Sequence, residues 1–131
     1  HVIPALVRKM LAGDDQVVLW GDGSPTREFL YVDDCDEGLL LAAERYDGRE
    51  PVNLGTGVET SIRDLAETIA ELTGFSGRIV WDTEMPNGQP RRSLDTSRAR
   101  ELFGFEAKTS LHDGLEKTVE WYRAHAPSYA A

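Results

Sequence analysis

The chain has 131 residues, a composition ordinary for a globular protein and a formal net charge of −9, from 14 basic and 23 acidic residues. That length suits one domain or part of one, and the negative charge argues against nucleic acid or an anionic membrane as a partner. Because the chain is acidic overall, any anionic ligand is expected to bind to a local basic cluster. No apolar run is long enough to cross a membrane and no signal-peptide pattern is present, so we expect a cytoplasmic protein.

The first half of the chain alternates between helical and strand patterns. Pro4 and the apolar repeat around it are typical of the first turn of an amphipathic helix. Because the chain begins with His1 rather than Met and is helical almost at once, it reads as a fragment of a longer protein. The predicted elements are a helix over 2–12 ended by Gly13, a strand Val17–Trp20, a buried strand Phe29–Val32, a helix from its N-cap Asp34 to Tyr46, and a brief strand Pro51–Leu54.

The second half is dominated by helices with recognisable ends. Ser61 followed by Asp64 resembles a capping box, and glycines mark the ends of two helices. The tail after His125 is expected to be frayed. The predicted elements are a helix from Ser61 to Gly74, a strand Arg78–Trp81, a loop over 83–93, a short helix capped by Asp95, Thr96 or Ser97 and closed by Gly104, and a last helix capped by Ser110.

This order predicts a mixed α/β fold with few and short strands. The sequence has no internal repeat, low-complexity segment or linker. A sheet this small beside helices this apolar is expected to pack against something outside the chain. The single cysteine, Cys35, excludes an internal disulfide and is expected to be a small packing residue.

The residues that could carry chemistry are few. The three histidines show no metal-ligand spacing, and the chain contains no GxSxG, GxGxxG or Walker motif, so no metal site is predicted. Arg27 follows a turn containing Gly21, Gly23 and Pro25, where its planar fork could hold a phosphate. The alternative is that it pairs with one of the many carboxylates. Arg91 and Arg92 end the 83–93 loop and are either solvated or bound to an anion.

Four segments together resemble the C-terminal part of the extended short-chain dehydrogenase/reductase family, which includes NAD-dependent epimerases and dehydratases. The first and the last of these segments favour the GDP-L-fucose synthase branch of that family. The segments are His1-Val-Ile-Pro-Ala-Leu, Trp20-Gly-x-Gly-x-Pro-x-Arg27-Glu-Phe-Leu-Tyr-Val-Asp-Asp34, Asn53-Leu-Gly-Thr-Gly57 and Pro86-Asn-Gly-x-Pro-Arg-Arg-x-Leu-Asp95.

The resemblance implies a two-lobed parent enzyme. In that family a Rossmann lobe binds NADP and carries a Tyr-x-x-x-Lys pair, while a small C-terminal lobe closes over a nucleotide sugar. Neither the dinucleotide motif nor a Tyr-x-x-x-Lys occurs here. Residues 1–131 are therefore expected to form a small mixed α/β substrate-binding lobe, with the Rossmann lobe absent from the chain.

The resemblance also implies roles for individual residues. His1 matches the histidine that acts as an acid in epimerisation and is expected to contact the cofactor. The substrate-binding positions are Lys9, where arginine is usual; Trp20, at the nucleotide sugar; Arg27, at the diphosphate; Asn87, where aspartate is common; and Arg92, at a basic position.

The activity implied for the parent is that of an NADP-dependent 3,5-epimerase/4-reductase acting on GDP-4-keto-6-deoxy-mannose. The isolated chain is not expected to be active, and the parent is expected to be a homodimer. Two alternatives remain open. One is the substrate lobe of another nucleotide-sugar enzyme, such as a UDP-sugar 4-epimerase or a GDP-mannose 4,6-dehydratase. The other is a non-catalytic binding or assembly module.

Overall fold

The computed structural model describes residues 1–125, in which nine helices and strands follow one another. The order confirms the mixed α/β class, and the expectation of a frayed tail after His125 concerns residues outside this range. The elements are α1 Val2–Leu11, β1 Gln16–Trp20, β2 Thr26–Glu28, α2 Val32–Arg45, β3 Glu59–Ser61, α3 Ile62–Thr73, β4 Arg78–Asp82, α4 Ser97–Phe103 and α5 Leu111–His125.

The strands form two separate pairs. β1 runs parallel to β4, with Val18 opposite Val80. β2 runs antiparallel to β3, with Arg27 opposite Thr60. Since successive side chains of a strand face opposite sides, β1 buries Val17 while its neighbour Val18 and, two residues later, Trp20 are exposed.

The main core lies where α1, α3 and α5 pack on the parallel strand pair. Its stripe on α3 is fully buried because apolar residues recur there every three or four positions. A smaller core forms where α4 meets α2, around Phe103 and Phe105. The buried residues of the main core are Leu6, Val7, Met10, Val17, Leu65, Ala66, Ile69, Leu115 and Val119.

Several helix ends match the sequence prediction. The Ser61 Oγ accepts a hydrogen bond from the Asp64 amide at 3.0 Å, and Ser110 Oγ accepts one from the Asp113 amide at 3.1 Å. α3 and α4 end at glycines in the left-handed conformation, Gly74 with φ of 69° and Gly104 with φ of 74°. These local signals therefore set the ends of the helices as expected.

The predicted strand Phe29–Val32 is wrong. The strand in this region is β2, Thr26–Glu28, and the apolar residues after it lie in an irregular segment. Phe29 packs against the main core and Leu30 against the smaller one, so the segment bridges two cores. The apolar run reflects these two packing contacts rather than a strand buried on both faces.

Asp34 is not the N-cap of α2, because that helix begins at Val32 and its N-cap is Tyr31. Asp34 instead lies inside the first turn and is only 5% exposed. Its Oδ2 accepts hydrogen bonds from the amides of Lys108 and Thr109, and its Oδ1 accepts one from the Thr109 hydroxyl. The carboxylate therefore joins α2 to the segment that precedes α5.

The predicted strand Pro51–Leu54 is also wrong, since those residues form no strand. The strand partner of β2 is β3, Glu59–Ser61, which the sequence analysis missed. β3 is three polar residues long and has no apolar pattern of its own. Its strand conformation comes from pairing with β2, more than thirty residues earlier in the chain.

Candidate functional site

The site is built on β2 and the loop that runs beside it. The Thr26 amide donates to the Pro90 carbonyl at 2.9 Å, and the Arg92 amide donates to the Thr26 carbonyl at 3.2 Å. A short parallel bridge also pairs Thr26 with Arg91. The backbone of the loop is thereby held against β2, which brings both loop arginines beside Arg27.

Arg27 is half-buried, and its guanidinium is held by backbone oxygens. Its Nη1 donates to the Thr26 carbonyl at 2.7 Å and to the Gln89 carbonyl at 2.8 Å. Within residues 1–125 Arg27 forms no ion pair with a carboxylate. The structure therefore does not show the alternative, in which a carboxylate neutralises Arg27. The positive charge of Arg27 is available to a ligand.

The two loop arginines differ. Arg91 donates from Nε and Nη2 to the carboxylate of Glu59, with distances of 2.5 to 3.0 Å, and the Thr26 hydroxyl donates to the same carboxylate at 2.7 Å. The hydrogen bonds from Arg91 and Thr26 lower the pKa of Glu59 to about 2, and Glu59 raises the pKa of Arg91. Arg91 is thus neutralised within the fold.

Arg92 instead lines a cavity of about 200 Å³ together with Arg27, which we call the arginine cavity. No carboxylate among the described residues forms an ion pair with Arg92. The cavity therefore holds two arginines whose charges no ion pair neutralises, in a chain that is strongly acidic overall. Its lining residues are Arg27, Glu28, Leu30, Leu54, Gly55, Arg92, Ser93 and Leu94.

The carboxylate in this lining belongs to Glu28, a residue that the sequence analysis did not single out. It accepts hydrogen bonds from backbone amides of the 55–57 turn and of the loop after Arg92. The only sequence signal was its place directly after Arg27 in β2. The amides that bind Glu28 lie 28 to 66 residues further along the chain, and its position after Arg27 gives no indication of them.

Asn87 contacts the turn that directly follows Trp20 at the end of β1. The Asn87 Oδ1 accepts a hydrogen bond from the Asp22 amide at 2.8 Å. Gly21, with φ of 77°, leaves the space for this contact, since a Cβ there would lie 1.9 Å from Asn87 Oδ1. Trp20 precedes that glycine and is 64% exposed. The Asn87 amide therefore has an established contact in the fold, and the Trp20 ring is open to a ligand.

The remaining predicted residues, His1 and Lys9, lie on α1 and do not line the arginine cavity. His1 is the N-cap of α1 and lines an open cavity of about 520 Å³ with Arg8 and Trp121. Lys9 is exposed and lies outside that lining. The basic side chain that shares the cavity with His1 is therefore Arg8, to which the sequence analysis assigned no role.

One group of metal-type ligands occurs outside this site. His112, Asp113 and Glu116 lie on the first turns of α5, and one potential ligand atom from each falls within 4.8 Å of the others. All three are exposed, and exposed acidic groups of this kind are common without a metal. No helix in residues 1–125 has the length and apolar character needed to cross a membrane.

The described residues do not fit a dinucleotide. The turn after β1 leads into β2 rather than into a helix, and β1 pairs only with β4. The glycine-rich strand-to-helix turn that cradles a pyrophosphate is therefore missing from residues 1–125.

Comparison with known proteins agrees with the resemblance drawn from the sequence. Residues 1–55 match the model of the NAD dependent epimerase/dehydratase family. GDP-L-fucose synthase 1 of Arabidopsis thaliana is 46% identical over 126 residues, which is 93% of this chain and 39% of that protein. The chain thus spans about two fifths of the length of the curated relatives it matches.

Solved structures give the same result for the fold. A GDP-L-fucose synthetase from Naegleria fowleri, solved with NADP bound, matches with a TM-score of 0.91 and 28% identity, over 98% of this chain and 41% of that one. The UDP-glucose 4-epimerase of Thermotoga maritima, solved with UDP-glucose, matches with a TM-score of 0.86 and 35% identity, over 96% and 40%. The predicted fold class is confirmed.

Proposed function

This chain is similar to part of the GDP-L-fucose synthases, and we propose that it is the C-terminal substrate-binding region of an NADP-dependent 3,5-epimerase/4-reductase. The substrate of the parent enzyme is GDP-4-keto-6-deoxy-mannose, and the chain binds the nucleotide sugar. Residues 1–131 form one region of that enzyme, which works as a homodimer in the cytoplasm.

The observation that carries this proposal is the arginine cavity. Arg27 and Arg92 line it together, and neither forms an ion pair with a carboxylate of residues 1–125. A diphosphate offers several oxygens to two guanidinium groups, each of which can donate two parallel hydrogen bonds. The Gln89 carbonyl already orients the Arg27 guanidinium, so little side-chain freedom is lost on binding.

The other substrate contacts are assigned around this diphosphate. The exposed Trp20 ring stacks against the nucleotide sugar, and Asn87 lies at the same turn. Asn87 reaches the guanosine end only through the part of its amide not engaged with Asp22. Lys9 contacts the substrate from α1, with the neighbouring Arg8 as the alternative basic residue on that helix.

His1 is assigned the proton transfer. Epimerisation next to a ketone passes through an enediolate, which must regain a proton on the opposite face of the carbon. A histidine side chain suits this step because imidazoles exchange protons near neutral pH. At the end of α1, His1 lies beside the open cavity shared with Arg8, where it also contacts the cofactor.

In the parent enzyme, a bound nicotinamide cofactor would supply the hydride for reduction of the 4-ketone. Because the described residues do not fit a dinucleotide, NADP is assigned mainly to a part of the parent outside this chain. The task of the present residues is to bind and orient the nucleotide sugar and to deliver a proton.

The proposal is tested by ligand binding to the full-length protein that contains this chain. We expect calorimetry to show that a GDP-sugar binds at least tenfold more tightly than the matching UDP-sugar. Arg27→Lys is expected to weaken that binding about ten- to a hundredfold, since a bidentate charged contact is worth roughly 1.5–3 kcal/mol. A large drop in melting temperature with unchanged affinity would make Arg27 a structural residue and remove the main support for the site.

A second candidate is a UDP-sugar 4-epimerase, because the Thermotoga maritima enzyme shares 35% identity and the same fold with this chain. A preference for the UDP-sugar in the same calorimetric experiment would favour it. A binding or assembly module without catalysis is the third possibility. It would bind neither nucleotide sugar, and the full-length protein would consume no NADPH.

A further inference from the structure

We propose that Glu28 is a positioning residue for anion binding in the arginine cavity. Its carboxylate holds the 55–57 turn and the 92–94 segment in the conformation that presents Arg92 to the ligand. The inference rests on the proposed function, because it gives Glu28 a task at the same cavity.

Both oxygens of the Glu28 carboxylate are engaged by backbone amides. Oε1 accepts hydrogen bonds from Thr56 N at 2.5 Å and Gly57 N at 2.9 Å, and Oε2 accepts one from Leu94 N at 3.0 Å. These donors come from two segments that lie 28 and 66 residues along the chain from Glu28. A single side chain therefore connects β2 to two segments of the cavity wall, which are also joined by a hydrogen bond from Asn53 Nδ2 to the Asp95 carbonyl at 3.4 Å.

The 55–57 turn is shaped to receive this carboxylate. At Gly55 a Cβ would lie 2.1 Å from Glu28 Oε1, and Gly57 has φ of 72°, a conformation that L residues seldom adopt. Glycines at these two positions allow consecutive amides to converge on one oxygen. The Asn53-Leu-Gly-Thr-Gly57 segment thus has a structural explanation here: it forms the anion receptor for Glu28.

The same contacts fix the backbone around Arg92. The Arg92 amide is held by the Thr26 carbonyl at 3.2 Å, and two residues later the Leu94 amide is held by Glu28. The Arg92 side chain therefore starts from a backbone constrained on both sides. A guanidinium placed in advance loses less conformational freedom when it binds an anion, which strengthens binding.

The amide contacts also explain how a carboxylate can line an anion site without abolishing it. Adjacent residues of a strand point to opposite sides, so Glu28 and Arg27 do not face each other directly. The Glu28 oxygens are bonded to neutral amides and form no ion pair with either cavity arginine. Both guanidinium charges therefore stay available to the ligand.

The test uses Glu28→Gln in the full-length protein, with GDP and a GDP-sugar as ligands. Glutamine keeps the size and one acceptor oxygen, but its NH₂ group cannot accept from a backbone amide. We expect affinity to fall about tenfold, the size of a lost charge-assisted contact. The matched control is Glu101→Gln on the exposed face of α4, which removes the same charge and should change affinity by less than about twofold.

A double-mutant cycle separates positioning from a general structural role. If Glu28 acts through Arg92, Glu28→Gln should add less than about twofold in an Arg92→Gln background. An equal loss in both backgrounds, or unchanged affinity of Glu28→Gln in the wild-type background, overturns the inference. If the wild-type protein binds neither ligand, the proposed function itself fails, which is a distinguishable result.

A measurement on the unmodified protein keeps the inference testable if Glu28→Gln does not fold. The amides of Thr56, Gly57 and Leu94 should exchange with deuterium at least tenfold more slowly than unprotected amides in the ligand-free protein. Exchange at the unprotected rate would mean that the carboxylate does not hold these segments, and the inference would be wrong.

Discussion

At the scale of single residues, the neighbouring arginines of the loop illustrate how environment decides a role. Arg91 and Arg92 have the same chemistry and adjacent positions. Arg91 is neutralised by Glu59, whereas Arg92 lines the arginine cavity with Arg27. The local sequence pattern marked both as candidate anion ligands, and only the family resemblance singled out Arg92. The pattern itself could not divide them, because Glu59 lies more than thirty residues earlier in the chain.

This division predicts opposite effects for the same substitution. Arg92→Gln should weaken GDP-sugar binding by the full-length protein about ten- to a hundredfold, because a charged contact to phosphate is lost. Its melting temperature should stay within about 1 °C. Calorimetry and thermal unfolding of the same preparations measure both quantities.

Arg91→Gln is the matched control. It should leave affinity within about threefold and lower the melting temperature, because Glu59 loses its ion-pair partner and the loop loses a tether to β3. If Arg91→Gln weakened binding as much as Arg92→Gln, the two arginines would not have the separate roles assigned to them.

His1 is the residue to which chemistry rather than binding is assigned. His1→Gln in the full-length protein should slow epimerisation by a factor of about 10² to 10⁴, the usual contribution of a general acid, with substrate affinity nearly unchanged. Incorporation of solvent deuterium into the keto sugar follows this step apart from hydride transfer. Exchange at the wild-type rate in the variant would show that His1 is no acid in this reaction.

At the scale of helices and strands, local signals predicted well and long-range pairing did not. The Ser61 cap and Gly74 defined α3, and the predicted strands Val17–Trp20 and Arg78–Trp81 coincide with β1 and β4 to within a residue. These elements carry their own pattern of caps or alternating burial. β3 has no such pattern, because its conformation depends on a partner strand elsewhere in the chain.

The same limit applies to the site. Trp20 and Arg27 could be singled out because they flank a turn whose glycines mark it in the sequence. The Gln89 carbonyl that orients Arg27 and the amides that hold Glu28 could not be foreseen, since backbone groups are the same in every residue. What could not be predicted is therefore the set of backbone contacts that fixes each side chain.

Asp34 joins two elements, and its removal should be costly. Asp34→Ala should lower the free energy of unfolding by about 2–4 kcal/mol, because it leaves the Lys108 and Thr109 amides without their acceptor. Chemical denaturation measures the loss. The exposed Asp33 in the same helical turn is the control, since Asp33→Ala removes an equal charge near the helix N-terminus and should cost less than about 1 kcal/mol. Equal losses would mean that Asp34 acts only through the helix dipole.

The ion pair between Arg91 of the loop and Glu59 of β3 predicts that the stability of the protein falls in acid. The pKa of Glu59 falls from 4.5 to about 2 in the folded protein, mainly because Arg91 donates hydrogen bonds to it. A lowered folded-state pKa adds stability that is fully present above about pH 4.5 and is lost as the pH falls towards 2. Thermal unfolding from pH 6 to pH 2 should therefore show a steeper decline in the wild type than in Glu59→Gln. Parallel declines would contradict this assignment.

At the scale of the whole molecule, charge and apolar surface are distributed unevenly. The net charge is −9, yet the arginine cavity carries two arginines without ion-pair partners among residues 1–125. Leu39 and Leu40 of α2 are 57% and 66% exposed, and Trp20 of β1 is exposed as well. Large exposed apolar residues on two elements are typical of surfaces that contact other groups. This agrees with the proposal that the chain works as one region of a longer enzyme.

The proposal predicts that the 131-residue chain studied alone binds but does not react. It carries the arginine cavity, whose charged contacts should give measurable affinity for a GDP-sugar, though weaker than in the full-length protein because the rest of the ligand is not enclosed. Its sequence contains neither a dinucleotide motif nor a Tyr-x-x-x-Lys pair, so no hydride can be delivered. Calorimetry with a GDP-sugar tests the binding, and the absorbance of NADPH tests whether any hydride is transferred. NADPH oxidation by this chain alone would contradict the assignment of the hydride step to residues outside it. If a demonstrably folded chain did not bind the GDP-sugar, the arginine cavity would not be an independent ligand site.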